Sequence, residues 1–199
     1  LGLPYVQDTD VCKPIFNSAF DAGSDNLEAV SQKKRIAVAI GGVVSWRTYK
    51  RWVEVINIVH SAMPDCEWLL LGSDNGKEDA ARILNGVQLK EKLINEVGAL
   101  SLSEIPNKLK SADLLLAADG GLMNMGRAKS VPMVALFSGE IHPLMRFSKC
   151  DSVIAIHAQG GVSEIQPEII ANHVIEFLSS PSGRQLASYF LDDEPVCDG

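Results

Sequence analysis

Apolar residues in this chain fall into short unbroken runs, separated by segments in which they recur every three or four positions. The first run, residues 36–40, is a β-branched apolar stretch ending in Gly41-Gly42, the pattern of a buried strand entering a turn. Trp52, Val55, Ile56, Ile58 and Val59 then follow at helical spacing, so residues 49–62 are expected to lay one helical face on a sheet. The alternation continues, with strands expected at 67–71, 93–97, 113–118, 131–137 and 153–156 and helices at 77–84, 101–111, 122–129 and 166–178. Ser101 and Glu104 have capping-box spacing at the start of the 101–111 helix. Pro106 then falls somewhat late, because proline is best tolerated in the first turn.

Strands that are apolar throughout, each followed by a helix, predict a parallel sheet covered on both faces. Right-handed crossovers make this a doubly wound, Rossmann-like α/β domain, assigned here to residues 35–179. Residues 1–34 contain Pro4, Pro14 and Gly23 without a sustained period and read as a linker or arm with some local helix. Residues 180–199 set Arg184 against Asp192, Asp193, Glu194 and Asp198 and read as a short helix followed by an acidic tail. In a doubly wound sheet ligands gather at the carboxyl ends of the strands, which directs attention to the loops after Ile40, Leu71 and Ala118.

Composition narrows the chemistry. The 199 residues are 46% apolar and 22% charged, an ordinary globular balance, with a formal charge of −7. That acidity argues against a broad footprint for nucleic acid or an anionic membrane, so any phosphate must be held locally. No apolar run approaches the roughly 18 residues of a membrane span, and the first residues lack a signal-peptide pattern. Cys12, Cys66, Cys150 and Cys197 are far apart, as are the four histidines, so no metal site and no thiol-exchange pair is expected. The expected compartment is the cytoplasm.

Of the candidate loops, the one after the first strand runs Gly41-Gly42-Val43-Val44-Ser45-Trp46-Arg47-Thr48-Tyr49-Lys50-Arg51. Glycines permitting close approach, two hydroxyls and three cations suit a phosphate ester, although Lys50 and Arg51 also read as solvated cations of a first helical turn. A second site is Asp119-Gly120-Gly121-Leu122-Met123-Asn124, where a strand gives way to a helix whose free N–H groups point out of the sheet edge. Asp119 is equally placed to cap that helix. The loop Gly72-Ser73-Asp74-Asn75-Gly76-Lys77-Glu78 offers carboxylates for ribose hydroxyls or simply a solvated turn. Glu140 and His142, after Phe137, lie at the same edge. The loop GGVVSW lacks the GxGxxG spacing of a dehydrogenase, and a P-loop is absent.

Taken together, these motifs resemble family 9 glycosyltransferases, the heptosyltransferase family. Lys50-Arg51-Trp52 is similar to that family's KRW-type motif. Gly98-Ala99-Leu100-Ser101-Leu102, Ala112-Asp113-Leu114, Asp119-Gly120-Gly121 and Pro132-Met133-Val134-Ala135-Leu136-Phe137 follow its G-x-x-S-L, A-D-L, D-S-G and P-V-V-A-L-F succession in order and spacing. The likeness runs over residues 1–178 and begins with Leu1-Gly2-Leu3-Pro4, which resembles the segment leaving the family's N-terminal domain.

The resemblance implies the C-terminal, donor-binding half of a GT-B glycosyltransferase. Such an enzyme is metal-independent, uses no cofactor, and transfers heptose with inversion from a nucleotide donor such as ADP-heptose to a glycan or lipid-linked acceptor in lipopolysaccharide biosynthesis. It implies that Lys50 contacts the donor phosphates, with Ser45, Trp46 and Arg51 nearby, that Leu100 meets the base, and that a carboxylate near Glu78 holds the ribose. Asp119, Gly120, Gly121 and Leu122 would cradle the pyrophosphate and sugar, and Lys50 and Asp119 are the candidate catalytic positions. Gly120 stands where the family has Ser or Thr, and Asn124 where it has His.

The acceptor's general base belongs to an N-terminal domain these residues do not include. The chain is therefore expected to bind nucleoside diphosphate without turning over alone, and to meet the inner membrane at most peripherally, through that domain or the acceptor. A non-catalytic nucleotide-sugar binding module and half of a nucleotide-sugar epimerase are the alternative readings.

Overall fold

Five runs of five residues become the centre of a single sheet because each is apolar on both of its faces. In the computed structural model, which describes residues 33–88, 90–148 and 151–179 and the backbone of Tyr189–Phe190, these runs are β1 (Arg35–Ala39), β2 (Glu67–Leu71), β4 (Leu114–Ala118), β5 (Met133–Phe137) and β6 (Val153–His157). A three-residue β3 (Leu93–Asn95) flanks β2, and Tyr189–Phe190 adds β7 beside β6. All pairings are parallel, in the order β3-β2-β1-β4-β5-β6-β7.

Alternate strand residues serve opposite layers. Ile36, Val38, Trp68, Leu70, Leu114, Leu116, Val134 and Leu136 face a layer made by α1 (Trp52–Ala62), α2 (Lys77–Gly86) and α5 (Pro167–Ser179). Ala37, Leu69, Leu71, Leu115, Ala117 and Phe137 face α3 (Ile105–Lys110), α4 (Gly121–Ala128) and Phe147. Leu70, Leu114, Leu115 and Leu116 have no exposed surface, and each such side chain stabilises the fold by roughly 1.5–3 kcal/mol. The chain builds β1 to β3 outward on one side and returns to add β4 against β1. The strand order therefore reverses between β1 and β4, the place where a doubly wound sheet opens a crevice at its carboxyl edge.

Two helices start later than their apolar pattern predicts. After β1, Ser45–Arg47 forms a 3-10 turn closed by Thr48, whose hydroxyl donates to the Val44 carbonyl at 2.8 Å, and α1 begins only at Trp52. After β3, the Ser101 hydroxyl and N–H both donate to one oxygen of Glu104, at 2.6 and 2.8 Å, and stabilise a turn rather than a helix start. The helix α3 begins at Ile105, which puts Pro106 in the first turn, where its missing N–H costs nothing. Residues 1–32 of the expected arm lie outside the described residues. So does the expected C-terminal helix and tail, apart from Tyr189–Phe190, which are extended in β7. Among the described residues no helix is long and apolar enough to cross a membrane.

Candidate active site

A cleft of about 360 Å³ opens at the β1–β4 reversal. The three loops that sequence reasoning selects meet there. Gly41 to Val44 come from the loop after β1, Ser73 and Asn75 from the loop after β2, and Asp119 to Leu122 from the end of β4 and the start of α4. Leu102 and Ile105 close one side, and Tyr49 and Trp52 stack edge to face at 4.7 Å on the wall that leads into α1. Tyr49 is fixed by donating its hydroxyl to the Ile165 carbonyl at 3.0 Å, and burial pushes its phenol well above the ordinary tyrosine range, so it remains a neutral donor.

Backbone geometry brings the first two loops together. Gly41 has φ of +90°, and a Cβ there would lie 2.9 Å from both Asn75 Oδ1 and the Gly76 Cα. A side chain at Gly76 would in turn press on the Ile40 carbonyl. On the other side of the cleft, Gly120 precedes α4, and the Asn124 N–H is the first of that helix to find an intrahelical acceptor, the Gly120 carbonyl. The N–H groups of Gly121, Leu122 and Met123 have no intrahelical acceptor, and of these residues Gly121 and Leu122 line the cleft.

Asp119 lies at the cleft floor with its side chain only 3% exposed. Two guanidiniums face it from neighbouring loops. Arg47, after β1, places Nη1 3.5 Å from Oδ2, and Arg146, after β5, donates Nε to Oδ1 at 3.1 Å. The Arg47 guanidinium also lies 5.0 Å from the Trp46 ring centre. Lys50 has a different partner. Its ammonium donates to both oxygens of Asp79 on α2, at 2.7 and 3.0 Å, and Arg82 also binds that carboxylate.

The expected site residues therefore separate. Asp119, Gly120, Gly121 and Leu122 line the cleft, whereas Ser45, Trp46, Lys50, Arg51, Glu78, Leu100 and Asn124 do not. Ser45 and Trp46 sit exposed in the 3-10 turn beside the cleft, and Arg51 turns away to Glu54 and Gln166. Glu78 and Asn124 are exposed on α2 and α4, and Leu100 packs against the α3–α4 layer. The loop after β2 contributes Ser73 and Asn75 to the cleft in place of a carboxylate. Arg146 is not signalled by any local pattern; only the adjacency of β4 and β5 brings its loop to Asp119. Among the described residues no group of three or more His, Cys, Asp or Glu is placed to hold a metal ion.

Comparison with known proteins places this geometry. A family model described as glycosyltransferase family 9 (heptosyltransferase) matches residues 19–148, more than half of the chain. A sequence comparison with curated proteins gives no match. Among solved structures, the chain is similar to a family 9 glycosyl transferase from Veillonella parvula, 19% identical with a TM-score of 0.63, covering 74% of this chain and 47% of that one. It is also similar to the E. coli ADP-heptose lps heptosyltransferase II, at 17% identity and TM-score 0.62, covering 75% of this chain and 49% of the other. A third likeness is to the E. coli heptosyltransferase WaaC with ADP, at 15% identity and TM-score 0.61, covering 72% and 44%. The chain spans about half the length of these structures, and at such identities the likeness shows a shared GT-B half-fold.

Proposed function

The chain belongs to glycosyltransferase family 9, the heptosyltransferase family, and from that premise we propose that its cleft binds the nucleoside diphosphate end of a sugar donor, ADP-heptose. In the whole protein the sugar passes with inversion to a glycan or lipopolysaccharide acceptor. The observation that carries this reading is the start of α4, whose unpaired N–H groups open into a cleft at the strand-order reversal.

Glycosyl transfer passes through an oxocarbenium-like state while negative charge builds on the departing diphosphate. A helix start and a nearby guanidinium stabilise that charge without a metal, and oriented donors in a closed site contribute a few kcal/mol each. The acceptor hydroxyl needs a general base, which we assign to the N-terminal acceptor domain of the whole protein. Val43, Trp46, Leu102, Leu144 and Met145, exposed large apolar residues, all lie in loops that follow sheet strands. They suit a second surface closing over the cleft. Lys50 reaches the donor only by leaving Asp79, so we place it behind Arg47 as a phosphate contact.

Asn124, exposed on α4 where the family has His, favours a second reading in which the cleft binds donor without transfer. Assaying the whole protein for donor consumption separates the two. The binding reading itself is tested by calorimetric titration with ADP, UDP and GDP. ADP is expected to bind, and silence from all three nucleotides removes the proposal.

A further inference from the structure

Asp119 presents an imbalance. One carboxylate, almost wholly buried, stands between two guanidiniums whose side chains are each about one third exposed, at 32% and 36%. The cluster therefore carries one net positive charge at the mouth of α4. Its hydrogen bonding is also incomplete. Asp119 Oδ2 is buried and accepts no hydrogen bond, and the Nε of Arg47 is buried and donates none. The Arg146 side chain spends Nε on Asp119 and makes no other hydrogen bond among the described residues. A guanidinium has five N–H donors in a rigid fork, so most of the donor capacity of this pair is unspent. A buried polar atom without a partner is costly, and a partly desolvated surplus charge calls for an anion.

We propose that Arg47 and Arg146, held on the two oxygens of Asp119, form the grip for the two phosphates of the ligand, and that Asp119 is a positioning residue that does not itself touch them. The inference rests on reading the cleft as a donor site, and it assigns the phosphate grip to guanidiniums from two different loops. A free carboxylate at the floor of an anion site would repel diphosphate. With each oxygen turned to a guanidinium, the carboxylate instead orients the two forks and leaves their outer N–H groups for bidentate contact with phosphate oxygens. The N–H groups at the start of α4 complete the grip from a third direction. The surplus positive charge favours an anion, which selects a diphosphate over an uncharged nucleoside.

Calorimetry with three probes, ADP, inorganic pyrophosphate and adenosine, tests the proposal on the protein and on Arg146→Gln, Arg146→Lys and Arg47→Gln. Loss of a charge-assisted phosphate contact is expected to weaken ADP and pyrophosphate about 10- to 100-fold in either Gln variant, with adenosine unchanged and Arg146→Lys recovering part of the loss. Circular dichroism of each variant checks that the sheet is intact; Arg146 lies at the surface of its loop, so folding is expected to survive. ADP binding that is unchanged in a folded Arg146→Gln overturns the grip while leaving the donor reading standing, and so does an equal loss for adenosine. Pyrophosphate binding that needs Arg146, without any ADP binding, keeps the grip and removes the nucleotide reading. Failure of all three probes on the unmodified protein overturns both.

Discussion

Two buried carboxylates bind two cations each, and they do so for different ends. Asp79 on α2 receives Lys50 through both of its oxygens and Arg82 from the next turn of its own helix. Those cations are about half exposed, at 46% and 53%, and water completes their solvation. Asp119 receives Arg47 and Arg146 from loops after β1 and β5, in a deeper setting where buried donor and acceptor atoms remain unpaired. The first cluster is close to self-sufficient and ties the segment leading into α1 to α2. The second is unfinished, and two of its members, Asp119 and Arg47, line the cleft, with Arg146 behind them on Asp119. Charge count alone does not distinguish a tether from a ligand site; exposure and unspent hydrogen bonds do.

The largest difference should appear in stability. Asp119→Ala leaves two partly desolvated guanidiniums facing each other and should cost about 2–3 kcal/mol, after allowing for their one-third exposure. Asp79→Ala lets Lys50 and Arg82 hydrate and should cost about 1 kcal/mol. Urea unfolding of both variants checks the ranking, and equal losses would erase the contrast.

A smaller effect concerns ligand binding. Lys50→Ala should change ADP affinity by no more than about twofold, because its ammonium is already committed to Asp79. A tenfold loss by calorimetry would mean that Lys50 leaves Asp79 for the donor, and the tether would then be part of the site.

The smallest effect lies in the loop that closes one side of the cleft. The Ser101 hydroxyl, and then its N–H, hold the exposed Glu104 carboxyl below the usual carboxylate range. A folded-state pKa below the unfolded one contributes stability that is present above the unfolded value and is lost as pH falls through the folded one. Glu104→Gln should therefore lower the melting temperature slightly at neutral pH and converge on the parent at low pH, which flattens the acid end of the profile. A melting temperature equal to the parent's at neutral pH would show that the contact contributes nothing.

The sequence by itself determined the layers and the reactive edge. Five strand runs, the glycine-bounded loops after β1 and β2, and the strand-to-helix change at Asp119 are all written in local periodicity, because a helix and a buried strand each impose a short-range apolar pattern. Asp119 to Leu122 could be placed in the cleft for that reason. Helix starts were less legible, since Thr48 and Ser101 spend their hydrogen bonds on turns that the same residues could have used as caps. What only the tertiary structure decided was which charges meet. Arg146 reaches Asp119 because β5 lies beside β4, and Lys50 meets Asp79 rather than the cleft because α2 packs near the start of α1. Ion pairing follows spatial neighbourhood, and in a doubly wound sheet neighbourhood is set by strand order, which no local stretch of residues encodes.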